Sequence, residues 1–264
     1  MFSKNPIAYS FTLIPKFEEI NKLIIKKNKD NKHLKILDLC CGTGYLLEYL
    51  DDKLNIKEYQ GIDIDKDSIK MAKNYFSKKN IKTKNFFFNQ GDITKINNQK
   101  TNYYDLVFFL DGIEHINDDM ASLNFANKSL VSEGSLILST PHTKGIFVDN
   151  IDTFMHDHGP MNNEREGYSL KEIKLKLENS NFREINTYFT NFFLTEIIIF
   201  ISKLGYRIFK KKYKSQAELF DLKKNFLLHT YIIFVKLFKK IILLCDNFFK
   251  LFFNGHCLIA ISKK

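Results

Sequence analysis

The 264-residue sequence predicts an α/β fold: a doubly wound, mostly parallel sheet covered by helices on both faces. Three observations predict it. From Leu34 onward, short apolar runs alternate with segments of helical period, the pattern of successive strand–helix–strand units. The run YDLVFFL is apolar almost throughout, as a strand buried on both faces requires. The first run, LKILDL, passes through the Gly-rich turn CCGTG into a helical segment.

In chain order, Phe17, Ile20, Leu23 and Ile24 predict a leading amphipathic helix over roughly 14–28. LKILDL is the first strand and YLLEYLDDKL the helix after it. EYQGIDID, KDSIKMAKNYFSKK and KNFFFNQGD give a second strand, a second helix and a third strand. YDLVFFLDG is the fourth strand, followed by the helix DDMASLNFANKSL and by GSLILSTP, a strand ended by Pro141. SLKEIKLKLENS is a helix opened by a capping box, Ser169 with Glu172. REINTYFTNF is a further strand. Residues 191–254 break the rhythm with apolar, basic, helical sequence, and GHCLIAISKK restores a strand. The expected organisation is therefore a main domain over 1–190, a C-terminal helical insertion over 191–254, and the last strand of the same sheet over 255–264.

The formal net charge is +10. From Asn191 to Lys264 there are 14 Lys/Arg against 4 Asp/Glu, so this last quarter carries the whole excess. Such asymmetry speaks to partners rather than to fold. Cys40, Cys41, Cys245 and Cys257 lack metal-ligand spacing and read as reduced thiols. The N-terminus has no signal-peptide pattern. A cytoplasmic protein is expected, with peripheral attachment at the inner face of the membrane as a further reading.

The strongest chemical signal is Ile36–Leu46. Gly42 and Gly44 allow positive φ and close approach of the backbone to a ligand, and the helix start presents free N–H groups. Leu47 stands where a dinucleotide fingerprint needs its third glycine. Asp38, at the strand end, is placed to face a ligand ammonium. Asp63, with Ile64 beside it, ends the second strand about 20 residues on, where a carboxylate can accept ribose hydroxyls. Asp92 ends the third strand, where it can accept an adenine amino group with Ile93 against the ring. Three carboxylates after three successive strands line the crevice of an open α/β sheet.

ILDLCCGTG, GIDID, QGDI, YDLVFFLDGIEHI and SEGSLILSTP together resemble, in order, the motif series of class I S-adenosylmethionine (SAM)-dependent methyltransferases, a Rossmann-like fold. The resemblance covers Ile36–Pro141 and extends to Thr190. It implies SAM as cofactor, with Asp38, Gly42 and Gly44 around its methionine part, Asp63 on the ribose, and Asp92 with Ile93 on the adenine; Ile64 and Asp111 are further candidate cofactor-binding residues. Cys40 stands where the family's first motif has its first glycine. LDGIEHI with LSTP looks like the branch containing ubiquinone-biosynthesis O-methyltransferases. HDHGPMNNEREGYSLKEIKLKLENSNF resembles the DH…EGY-then-helix element of that wider group, with HGPMNN altered.

His115 follows the fourth strand and is the candidate general base; the alternative is a residue that caps or packs the next helix. His142, His156 and His158 in the following loop are rival bases. Asp111, Glu114 and His115 form D-x-x-E-H, similar to a family element that can hold Mg²⁺ or Mn²⁺; no metal site is assigned from it.

The expected function is O-methylation of a small-molecule, glycan or lipid-linked acceptor. Methylation of a nucleic-acid base is the rival, and it lacks the N/D-P-P-Y/F motif after strand four, so no nucleic-acid partner is expected. A non-catalytic SAM-binding protein at a membrane surface is the third reading. Segments 192–209 and 226–253 read as amphipathic helices that meet a membrane, or that form a lid or a dimer contact.

Overall fold

The computed structural model describes residues 13–27, 33–96, 100–143, 165–192 and 254–264, together with Thr195, Ile197, Phe238, Lys240, Ile241 and 243–252. His156, His158 and most of the expected insertion lie outside the described residues. By packing, the chain divides into two compact units, one over Leu23–Thr143, His158–Tyr188 and Leu258–Lys264 and the other over the remainder.

Helix α1 (Leu13–Lys27) leads, followed by β1 (Leu34–Leu39), α2 (Tyr45–Leu50), β2 (Ile56–Asp63), α3 (Lys66–Phe76), β3 (Phe86–Gln90) and β4 (Tyr104–Leu110). A 3₁₀ turn (Ile113–His115) then precedes α4 (Asp119–Ser129), β5 (Leu130–Pro141), α5 (Leu170–Asn179), β6 (Arg183–Thr190) and β7 (Cys257–Lys263). The strands form one seven-stranded sheet in the order β3-β2-β1-β4-β5-β7-β6. Pairs β1–β2, β1–β4, β2–β3 and β4–β5 are all parallel. The last strand thus returns to the sheet from the far end of the chain, as the sequence predicts.

The middle of the sheet is the core. Ile36, Leu37, Val107, Phe108, Phe109, Leu136 and Leu138 are buried, which explains why their strands read as continuous apolar runs. At the edge, β3 pairs with β2 alone, and Phe87 turns outward while Phe88 packs inward against Phe76, ring centroids 5.3 Å apart.

Two elements differ most from their sequence reading. Helix α2 stops at Leu50 instead of running on to Leu54. The Asp51 carboxylate accepts from Lys82 N, Thr83 N and Thr83 Oγ1 at 2.8, 2.8 and 2.7 Å, tying the helix end to the turn before β3. Strand β5 starts at Leu130, directly from α4, rather than at Gly134. The register passes from Tyr104↔Leu130 to Leu106↔Ser135, and the extra residues are absorbed with Glu133 at φ +64°. The capping box of α5 forms as expected, with both reciprocal bonds present.

Candidate functional site

Strand β1 lies between β2 and β4, so the chain leaves its carboxyl end where the strand order reverses, the position of the ligand crevice in open parallel sheets. The loop there takes three left-handed residues within five: Cys40 (φ +57°), Gly42 (φ +51°) and Gly44 (φ +78°). They do different work. A β-carbon on Gly44 would stand 2.7 Å from the ring of Phe88 and 2.9 Å from Phe76, so this glycine is demanded by packing. A β-carbon on Gly42 would meet nothing within 4 Å. Gly42 therefore presents bare backbone to open space, the condition for close approach of a ligand. Cys40, the departure from the family's first glycine, adopts a glycine-favouring conformation all the same.

The three strand-end carboxylates are held differently. Asp38 is buried at the end of β1 and accepts a hydrogen bond from the Tyr59 hydroxyl. Burial pushes its carboxyl up to about 8; the Tyr59 bond opposes the shift and the charge of Asp63 adds to it. Asp63, at the end of β2, accepts from Gly42 N at 2.7 Å through Oδ2 and from Asp65 N at 2.8 Å through Oδ1. It thereby ties the glycine loop to the start of α3, and each oxygen retains a second lone pair for a ligand. Burial raises its carboxyl as well. Asp92 is more open. It accepts from Thr94 Oγ1 at 2.7 Å and Thr94 N at 3.0 Å and pairs with Lys95 at 2.9 Å, and these bonds lower its carboxyl. Beside these, Ile93 is buried and Ile64 is exposed, with 59% of its surface accessible.

Beyond β4, Asp111 takes φ +49° and accepts from Ser139 Oγ at 2.9 Å. Glu114 is buried and accepts from Thr140 Oγ1 at 3.3 Å. His115 closes the 3₁₀ turn half-buried, its Nδ1 shielded from water and without a hydrogen-bond partner. Among the described residues no three His, Cys, Asp or Glu side chains are grouped to hold a metal ion, Asp111, Glu114 and His115 included. His142 is buried at the end of β5, where its backbone bridges Tyr168.

Sequence reading missed the network behind this turn. The buried Asp119 accepts from Tyr168 OH at 2.7 Å and Lys176 Nζ at 2.9 Å, and pairs with Arg165. Arg165 in turn donates to Ile116 O (3.2 Å) and Asn117 O (3.1 Å) through Nη2, and its N donates to Glu114 O at 3.3 Å. The backbone on either side of His115 is thus strapped to the segment entering α5. Asp119 follows the N-cap Asp118, so in sequence it reads only as a helix-start acid. Tyr45, at the start of α2, was also overlooked; burial and the nearby Asp111 and Asp38 raise its hydroxyl.

With this geometry in place, comparison decides the family. The sequence profile described as a methyltransferase domain matches residues 30–190. The chain belongs to the methyltransferase domain family. It carries the expected SAM-dependent methyltransferase fold. A malonyl-[acyl-carrier protein] O-methyltransferase of Acetivibrio thermocellus is 31% identical over 140 residues, 53% of this chain and 47% of that protein. The mitochondrial ubiquinone biosynthesis O-methyltransferase of Dictyostelium discoideum is 28% identical over 113 residues, 40% of this chain and 35% of that one. The chain thus spans less than half the length of these two relatives. A SAM-dependent methyltransferase structure from Archaeoglobus fulgidus matches with a TM-score of 0.54 at 16% identity, over 92% of this chain and 94% of that chain.

Proposed function

We propose that this methyltransferase domain transfers a methyl group to a hydroxyl of a small-molecule, glycan or lipid-linked acceptor. The observation that carries the reading is the pairing of an open Gly42 with an Asp63 carboxylate that grips the same loop. The residues present fit SAM. Asp38 is a buried acid whose charge a cation restores, suited to the ammonium of the methionine part. Gly42 and Gly44 shape the backbone beside it, Asp63 and Ile64 serve the ribose, Asp92 and Ile93 the adenine, and Asp111 completes the lining.

When bound, SAM supplies a methyl on a sulfonium, an electrophile with its leaving group already activated. The chain's own contribution is alignment and proton handling. His115 is the base of choice from its place in the turn after β4, where it is only half-buried. Asp119 and Arg165 hold the turn on which His115 sits. Both matched relatives named above are O-methyltransferases, which supports oxygen as the methylated atom.

The test has two parts. Radiolabelled methyl transfer is measured over a panel of phenolic, sugar, carboxylate, amine and lipid-linked acceptors. SAM affinity is measured by calorimetry on wild type, Asp63→Asn and Asp63→Ala. Loss of the charged acceptor should cost about 1.5–3 kcal/mol of SAM binding. Unchanged affinity in a folded Asp63→Ala protein would remove the ribose assignment, and transfer only to nitrogen acceptors would remove the oxygen assignment. Replacing His115 by Gln should lower turnover by about 10²-fold while SAM affinity holds.

A further inference from the structure

Residues 243–249 form a helix, and Phe238, Lys240 and Ile241 just before it are helical too. This helix is amphipathic in an inverted sense. Its one acid, Asp246, is buried and accepts from Thr195 Oγ1 at 2.6 Å and from Phe192 N at 3.4 Å. Burial raises the Asp246 carboxyl. Several large apolar side chains face the other way, while Leu243 and Phe249 are half-buried. Ile241, Leu244, Phe248, Leu251 and Phe252 expose 52, 72, 59, 76 and 64% of their surface, and Phe238 is exposed as well. At 100° per residue, Leu244 and Phe248 share one face of the 243–249 helix and Asp246 sits on the opposite side; Leu251 and Phe252 follow in the turn that ends it. The Asp246–Thr195 bond fixes that orientation, so the stripe is held outward.

A contiguous stripe of exposed Phe, Leu and Ile is rare on a surface that meets only water. The charge of the sequence segment that carries it says what it meets. The segment from Asn191 to Lys264 holds the protein's whole positive excess, 14 Lys/Arg against 4 Asp/Glu. On the described part, Lys240 is exposed at the border of the stripe, whereas Lys250 lies on the Asp246 side of the helix and reaches Glu19 at 3.5 Å. Among the described residues no helix is long and apolar enough to cross a membrane. An apolar face bordered by Lys240, too short to span and carried by the strongly basic segment of the sequence, has the chemistry of a helix lying in the headgroup region of an anionic bilayer.

We propose that the 238–252 face docks this methyltransferase on an anionic lipid surface, its Phe and Leu side chains inserted among the acyl chains and Lys240 at headgroup level. This does not depend on which acceptor is methylated, and the test is independent of turnover.

The experiment is co-sedimentation of the full chain with vesicles of phosphatidylcholine alone or mixed with phosphatidylglycerol, at low and high salt. Calorimetry of SAM binding and light scattering run alongside. Wild type is expected to bind the mixed vesicles at low salt, to release as salt rises, and to bind pure phosphatidylcholine far less. The triple variant Leu244→Ser, Phe248→Ser, Leu251→Ser changes only exposed side chains. It should lose about tenfold or more of the vesicle affinity with SAM binding unaltered. Absence of binding to anionic vesicles at low salt overturns the proposal, as does a triple variant that binds as well as wild type. A wild-type dimer that ignores vesicles and becomes monomeric in the variant assigns the face to a second copy instead. Loss of SAM binding in wild type would bear on the methyltransferase reading and leave the vesicle result standing.

Discussion

A β-carbon on Gly112 would stand 2.6 Å from Cβ and 2.9 Å from Sγ of Cys40. The glycine after Asp111 is thus required by the cysteine that opens the loop after β1, although 72 positions separate them. Cys40 itself sits at φ +57°, a conformation costing a non-glycine residue about 1–2 kcal/mol. Gly112→Ala should therefore destabilise by about 2 kcal/mol or more. In a Cys40→Gly background most of that cost should vanish, with the Phe109 ring, 3.0 Å from the same position, accounting for the remainder. Urea unfolding of the two single variants and the double variant measures the coupling; strictly additive costs would mean the two positions do not touch.

The two loop glycines should part company. Gly44→Ala must push aside the Phe88 and Phe76 rings and also hold a strained φ of +78°, for a cost of about 3 kcal/mol or more. Gly42→Ala carries only the left-handed penalty, about 1 kcal/mol, because its side chain points into open space. That space is where the methionine part of SAM is proposed to lie, so Gly42→Ala should fold and yet bind SAM at least about tenfold more weakly. Thermal melts with calorimetry separate the two effects, and a Gly42→Ala protein with wild-type SAM affinity would place the cofactor elsewhere.

The parts of this molecule legible in sequence are those set by periodicity and by turn chemistry. The buried run of β4, the glycine loop and the Ser169–Glu172 capping box depend on neighbours within a few residues, and each appears where the pattern puts it. The end of α2 does not, because it is fixed by Asp51 reaching Lys82 and Thr83 across the sheet edge. The start of β5 was missed because a left-handed Glu133 lets extra residues into a strand that begins straight from a helix. The site divides in the same way. Asp38 and Asp63 were visible as strand-end carboxylates, whereas the Tyr59 hydroxyl on Asp38 and the grip of Asp63 on Gly42 are products of strand register. Asp119 draws its partners from 46 to 57 residues downstream, and no local pattern announces that.

Asp38 gives a pH prediction with a definite sign. An unfolded Asp titrates near about 3.9, and in the folded chain burial holds the carboxyl up to about 8. Between those values the unfolded chain has lost its proton and the folded chain keeps it. This group's contribution to stability is thus fully present below the lower value, falls as pH rises, and is lost by about pH 8. Asp38→Asn still accepts from the Tyr59 hydroxyl and never ionises. Without SAM it should melt higher than wild type at neutral to mildly alkaline pH, and it should lack the wild-type slope. With SAM the order should reverse, because the proposed ammonium partner needs the carboxylate. Melting temperature against pH for both proteins, with and without SAM, decides it; identical slopes would show that Asp38 ionises freely in the folded chain.

The strap behind His115 gives the last prediction. Asp119 is buried and receives Arg165, Lys176 and Tyr168 at once. Removing it takes the carboxylate from two partly shielded cations, leaves the Tyr168 hydroxyl only the Ile113 carbonyl at 3.4 Å, and loosens the Arg165 guanidinium that also holds the Ile116 and Asn117 carbonyls. Asp119→Ala should cost about 2–4 kcal/mol of stability. Asp119→Asn keeps an acceptor for Tyr168 and should cost less. The informative quantity is the split between binding and turnover. The strap touches the His115 turn rather than the glycine loop, so in Asp119→Asn SAM affinity should stay within about twofold while kcat falls by about tenfold or more. Placed on the His115→Gln background, the same substitution should do little further to kcat, because the group that it positions is already gone. A full additional loss in the double variant would show that Asp119 acts on catalysis by a route that does not pass through His115.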